Sequence, residues 1–126
     1  MFIEKRPLLD EFLDAVNKIF DVWVYTAGNR KYADAVLDEI DPKNQIFQRR
    51  FYRDTCRKAN GTYYKDLKHL KKVSKVRGDM ILVDDNKTSV CHNYPFAVQI
   101  EEFEGQQEDK ALLTVFEKLL KFYGQR

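Results

Sequence analysis

Two adjacent acids, Asp84 and Asp85, follow four unbroken apolar residues, Met80 to Val83. A short unbroken apolar run suits a strand buried on both faces, as in a parallel sheet. Ligands bind such sheets just beyond the carboxyl ends of the strands, and the two acids fall there. Neighbouring carboxylates repel each other unless a cation or hydrogen-bond donors compensate. Mg²⁺ with a phosphate nearby is one solution; a solvated turn that merely opens on two acids is the other. A second polar strand end lies upstream. Asp21 to Tyr25, β-branched and aromatic, reads as a strand and runs into Thr26-Ala27-Gly28-Asn29. If the two strands are parallel, Thr26 and the acid pair share one edge of the sheet.

Helical spacing supplies the elements that would hold these strands. Leu9, Phe12, Leu13 and Val16 make one face behind Pro7. Ala33, Val36, Leu37 and Ile40 make another, with Asn29 as N-cap and Asp41-Pro42 as the stop. Leu67, Leu70 and Val73 suggest a short helix or turn, and residues 87–91 another short helix. Ala97 to Ile100 reads as a strand. Leu112, Leu113, Phe116, Leu119, Leu120 and Tyr123 form a stripe on a last helix, with Gly124 at C′. Gln45 to Tyr64, rich in Phe, Tyr and Arg with the turn pair Asn60-Gly61, reads as an antiparallel hairpin insertion. Its aromatics predict a small satellite core, with a ligand surface as the alternative. Helix–strand alternation predicts an α/β layered sheet.

The totals fit this reading. The chain has 126 residues, a length for one domain, and 44% are apolar. Its 22 basic and 20 acidic residues nearly cancel, so no direct nucleic-acid partner is expected. The clusters Arg49-Arg50 and Lys68 to Arg77 read as solvated faces, with a phosphate-rich partner as the alternative. Cys56 and Cys91 have no metal-type spacing and form no disulfide framework. No apolar stretch reaches membrane-spanning length, and the first residues lack a signal-peptide core. An intracellular setting, nuclear or cytoplasmic, is the expectation.

Several stretches taken together resemble one family. Lys5-Arg6-Pro7 with Asp10-Glu11-Phe12-Leu13 resembles the opening of the small C-terminal-domain phosphatases of RNA polymerase II and their NLI-interacting-factor-like relatives, in the haloacid dehalogenase superfamily. Val24-Tyr25-Thr26-Ala27 with Lys31-Tyr32-Ala33-Asp34 resembles the second motif. Phe51 to Cys56 resembles the segment entering the inserted sheet, Gly61 to Leu67 the third motif, Ile81 to Asp85 the fourth, and Phe103 to Leu113 the closing loop and helix. The resemblance implies a haloacid-dehalogenase-like parallel sheet flanked by helices, and Mg²⁺-dependent dephosphorylation of phosphoserine or phosphothreonine in a protein or peptide. It implies roles as well. Thr26 would hydrogen-bond the transferring phosphoryl group, and Lys65 would neutralise its charge. Asp84, assisted by Asp85, would hold Mg²⁺. Arg53 would point toward the substrate's leaving side.

One departure from the pattern is large. The family's aspartyl nucleophile lies in a D-x-D-x-[TV] motif after the first core strand, upstream of the K-R-P segment. Only Met1 to Glu4 precede Lys5, and no two Asp residues stand at i and i+2. The expectation is therefore a domain, residues 1–126, that is N-terminally incomplete and inactive alone, with its first core strand missing. An open slot in a parallel sheet exposes backbone groups and apolar surface. The chain would be part of a longer protein, a degenerate paralogue stabilised by self-association, or one whose Met1 to Lys5 partly fill the slot. A non-catalytic binding module of the import-receptor kind is the functional alternative, and a relic gene fragment the third.

Overall fold

The computed structural model describes residues 4–125. In chain order its elements are α1 (Leu9–Asn17), β1 (Trp23–Tyr25), α2 (Arg30–Ile40), β2 (Arg49–Phe51), a 3₁₀ turn (Arg53–Thr55), β3 (Arg57–Ala59), β4 (Thr62–Tyr64), α3 (Leu67–Ser74), β5 (Leu82–Asp84), α4 (Lys87–Asn93), β6 (Ala97–Gln99) and α5 (Ala111–Gly124). The architecture is mixed α/β. Among the described residues the strands form three two-stranded sheets. β1 runs parallel to β2 and β5 parallel to β6, while β3 and β4 are antiparallel. Each parallel pair is joined through a helix, α2 in the first and α4 in the second, as a parallel crossover requires.

The parallel layer is divided, since β1 and β5 are not hydrogen-bonded to each other. One expectation needs correction. The antiparallel insertion over 45–64 shrinks to β3 and β4. Its turn is Asn60-Gly61, at φ of 52° and 78°, the left-handed pair that a two-residue hairpin favours. The segment before it belongs to the parallel layer, with Arg50 opposite Val24 and Phe51 opposite Tyr25. A proposed strand role for Met1 to Lys5 falls largely on residues 1–3, outside the described residues.

The apolar interior is also in two parts. Val16, Val98, Val115 and Leu119 form one buried cluster, against which Phe12, Val83 and Phe116 pack. Ala33, Leu37 and Tyr52 form the other, with Val24 and Phe47 against them. Of the middle segment's aromatics, Phe47 and Tyr52 belong to this satellite core. On α5 the buried residues are Leu112, Val115 and Leu119, whereas Leu113, Leu120 and Tyr123 are exposed. The expected stripe is rotated because Val115, not Leu113, meets β6 and α1. Gly124 remains helical and Gln125 takes the C-cap.

The return from α2 to β2 turns on one buried acid. Asp41 is 2% exposed. Its carboxylate accepts N–H bonds from Gln45 at 2.8 Å, Ile46 at 3.0 Å and Phe47 at 3.1 Å. Desolvation pushes its pKa up, but the three donors outweigh that and hold it below the usual carboxylate range. Its contribution to stability is therefore complete above the ordinary carboxylate pKa and is lost as pH falls through the depressed folded value. Asp41→Ala is expected to cost about 2–4 kcal/mol at neutral pH, since three part-buried donors lose a charged acceptor. Urea titrations at pH 7 and at acid pH check this, and the gap between variant and parent should narrow in acid.

Candidate functional site

The carboxyl ends of the two parallel pairs converge on Lys65 and Asp66, the residues between β4 and α3. From β1, the Tyr25 hydroxyl accepts the Asp66 N–H at 3.3 Å and donates to the Thr55 carbonyl at 2.8 Å. Burial pushes the Tyr25 phenol up to about 12, so it remains a neutral donor. From β5, the Asp84 carboxylate takes the Lys65 ammonium, Nζ to Oδ2 at 2.6 Å. Both side chains are sheltered, 15% and 7% exposed. The sheet's own geometry puts the pair there: Asp84 is the last residue of a buried strand, and Lys65 follows the hairpin's second strand directly.

Lys65 is held from behind by α4. The fully buried Ser89 Oγ accepts the Lys65 N–H at 3.1 Å. Asn93 Nδ2 donates to the Lys65 carbonyl at 2.9 Å and to the Ser89 carbonyl at 2.7 Å, while its Oδ1 accepts the Leu67 N–H at 2.8 Å. Asn86 starts this helix by accepting the Ser89 N–H at 2.9 Å, a side-chain cap of the usual kind. Sequence reasoning missed Ser89 and Asn93. Their signal was two small polar residues at i and i+4 behind an Asn cap, which puts both on one helix face.

Thr26 stands one residue beyond Tyr25. Its Oγ1 accepts the Gly28 N–H at 3.0 Å, which leaves the hydroxyl proton available to an incoming oxygen. A Cβ at Gly28 would lie 3.3 Å from that oxygen, so glycine gives it room. Arg53 borders the same loop, with Nε donating to the Ala27 carbonyl at 2.7 Å and the guanidinium over the Tyr63 ring. The Cys56 Sγ lies 3.7 Å from the Thr26 carbonyl. Asp85 is exposed beside Asp84. Partial desolvation, and next its hydrogen bond and charge contact with Asp84, push its pKa up.

Among the described residues no three His, Cys, Asp or Glu side chains gather as a metal cluster. Asp84 and Asp85 offer two carboxylates, a partial donor set. It suits Mg²⁺, which commonly takes one or two carboxylates and completes its shell with waters and substrate phosphate.

The description "NLI interacting factor-like phosphatase" matches residues 1–125. The chain belongs to that family. A "CTD small phosphatase-like protein 2" of Dictyostelium discoideum is 36% identical over 115 residues, 91% of this chain and 20% of that protein. A "CTD nuclear envelope phosphatase 1B" of Danio rerio is 33% identical over 121 residues, 94% of this chain and 47% of that protein. The Drosophila melanogaster homologue of the nuclear envelope enzyme is 35% identical over the same length. The chain is thus a phosphatase-type domain that spans under half the length of these relatives. No helix among the described residues is long and apolar enough to cross a membrane.

Proposed function

We propose that these residues form the phosphate- and metal-facing part of a Mg²⁺-dependent protein serine/threonine phosphatase with a haloacid-dehalogenase-like sheet. The observation that carries this reading is the Lys65–Asp84 contact, placed where two parallel βαβ units end. Thr26 donates to the phosphoryl oxygens, Lys65 neutralises their charge, and Arg53 faces the leaving side. Phosphoryl transfer asks mainly for such positioning and charge neutralisation. Mg²⁺, held with Asp84 and Asp85, would add further neutralisation of phosphate charge.

The attacking carboxylate enters on a strand between β1 and β5. Bonds with Gln48 and Phe51 use the Val22 and Thr26 backbone, and bonds with Phe96 and Ile100 use that of Leu82 and Asp84. Alternation along a strand turns the Trp23, Tyr25 and Val83 groups to the opposite edges. Those edges meet no other strand among the described residues, and a strand with the D-x-D motif would satisfy both.

These 126 residues alone should therefore hydrolyse an aryl phosphate near the buffer rate, with or without Mg²⁺. Robust metal-dependent turnover would show that another group attacks. A non-catalytic protein-binding module is the second reading. It is favoured by the lack of an Asp-x-Asp pair in the sequence, and phosphate-dependent peptide capture without turnover, even after the motif is supplied, would select it.

A further inference from the structure

Beside Thr26 lies a hollow of about 460 Å³ whose walls include Arg30, Tyr52, Arg53, Asp54, Cys56 and Tyr63. It adjoins the phosphate-facing loop, because Arg53 holds the Ala27 carbonyl and Cys56 the Thr26 carbonyl. Arg30, the first residue of α2, sits in it with Cζ 4.0 Å from the centre of the Tyr52 ring. That ring is buried, and its hydroxyl donates to Asp34, so the platform under Arg30 is fixed. The nearby acids are already engaged: Arg50 pairs with Asp34 and Asp38, both at 3.0 Å. Arg30 and Arg53 make no ion pair among the described residues, and the remaining acid of the hollow, Asp54, is exposed.

We propose that Arg30 is a specificity-determining residue, selecting substrates that carry a second anionic side chain, a carboxylate or a second phosphate, beside the phosphorylated residue. This rests on the phosphatase reading and deepens it. Among the walls of the hollow two arginines face one aspartate, and Arg30 has an N–H edge to offer a further anion. A guanidinium laid on an aromatic face keeps its N–H edge free, and its fork matches the oxygens of a carboxylate or phosphate. Arg30 is exposed and touches neither Lys65 nor Asp84, so its role is separable from binding of the first phosphate.

The test is fluorescence anisotropy of the whole chain at fixed salt with labelled phosphoserine peptides. One peptide carries a neutral residue at the flanking positions, one glutamate or a second phosphoserine, and one leucine. The acid-bearing peptides should bind about tenfold more tightly than the neutral one, in keeping with one charge-assisted hydrogen bond. Arg30→Gln should erase that gain and leave the neutral peptide's affinity within about twofold. Lys31→Gln removes the same charge from the same helix, outside the hollow, and should leave the gain in place. A gain that survives Arg30→Gln, that falls equally with Lys31→Gln, or that goes to the leucine peptide overturns the proposal. If the neutral phosphopeptide binds better than its unphosphorylated form and no acidic gain is seen, only this proposal fails. If phosphate makes no difference to any peptide, the phosphatase reading fails with it.

Discussion

Replacing Lys65 by methionine will lower the unfolding free energy by about 3–5 kcal/mol, the cost of leaving one partner of a buried ion pair alone. Asp84 is 8% exposed; besides Lys65, its carboxylate accepts the Asn86 N–H at 3.3 Å and contacts the Asp85 side chain. Without the ammonium its charge faces a largely desolvated strand end, with exposed Asp85 beside it. Removing both charges should be much less harmful. Lys65→Met with Asp84→Leu is expected to recover most of the loss, since the uncompensated charge has gone. Urea unfolding of the parent, both single variants and the double closes the cycle. A double variant no more stable than Lys65→Met would mean that Lys65 acts through its backbone, held by Ser89 and Asn93, and not through its charge.

Much of the scaffold was legible because helices announce themselves by period. α1 and α2 follow their apolar faces, and Asn29 caps α2 as expected, accepting the Tyr32 N–H at 3.0 Å. The N-terminal entry differs in detail: α1 begins at Leu9 after a left-handed Leu8, at φ 70°, so Pro7 stands outside the helix. β2 was not legible as a parallel strand, since Arg-Arg-Phe carries no apolar run. Its charges are satisfied by tertiary contacts that no local pattern shows. Arg49 lies over the Trp23 and Phe51 rings, and Arg50 reaches two carboxylates of α2. The candidate site divides in the same way. Asp84 could be read from its strand, and Thr26 from the polar end of another. Lys65 and Arg53 emerged only from the order of motifs along the chain. Ser89 and Asn93 had no signal beyond short-range spacing, because buried polar residues and solvated ones are the same letters until packing separates them.

Supplying a segment with the Asp-x-Asp motif, fused ahead of Lys5 or added as a separate strand, should raise Mg²⁺-dependent hydrolysis of an aryl phosphate by at least about a thousandfold. That size reflects how much rate a covalent mechanism loses without its attacking group. The physical basis is a joint one. The entering strand would bond the free edges of β1 and β5, and the same insertion would set its terminal acid against Thr26, Lys65 and Asp84. Structure and rate should therefore rise together: protection of the Trp23, Tyr25 and Val83 amides from hydrogen exchange should appear with activity. An Asp-to-Asn change in the added motif separates the two effects, keeping the protection and removing the turnover. Asp84→Asn in the chain should also remove turnover, through loss of the carboxylate that pairs with Lys65 and would hold the proposed cation. Full protection with no rate gain from the intact motif would mean that the slot takes a strand but the pocket is not built for phosphoryl transfer. That outcome would favour the binding-module reading over the enzyme.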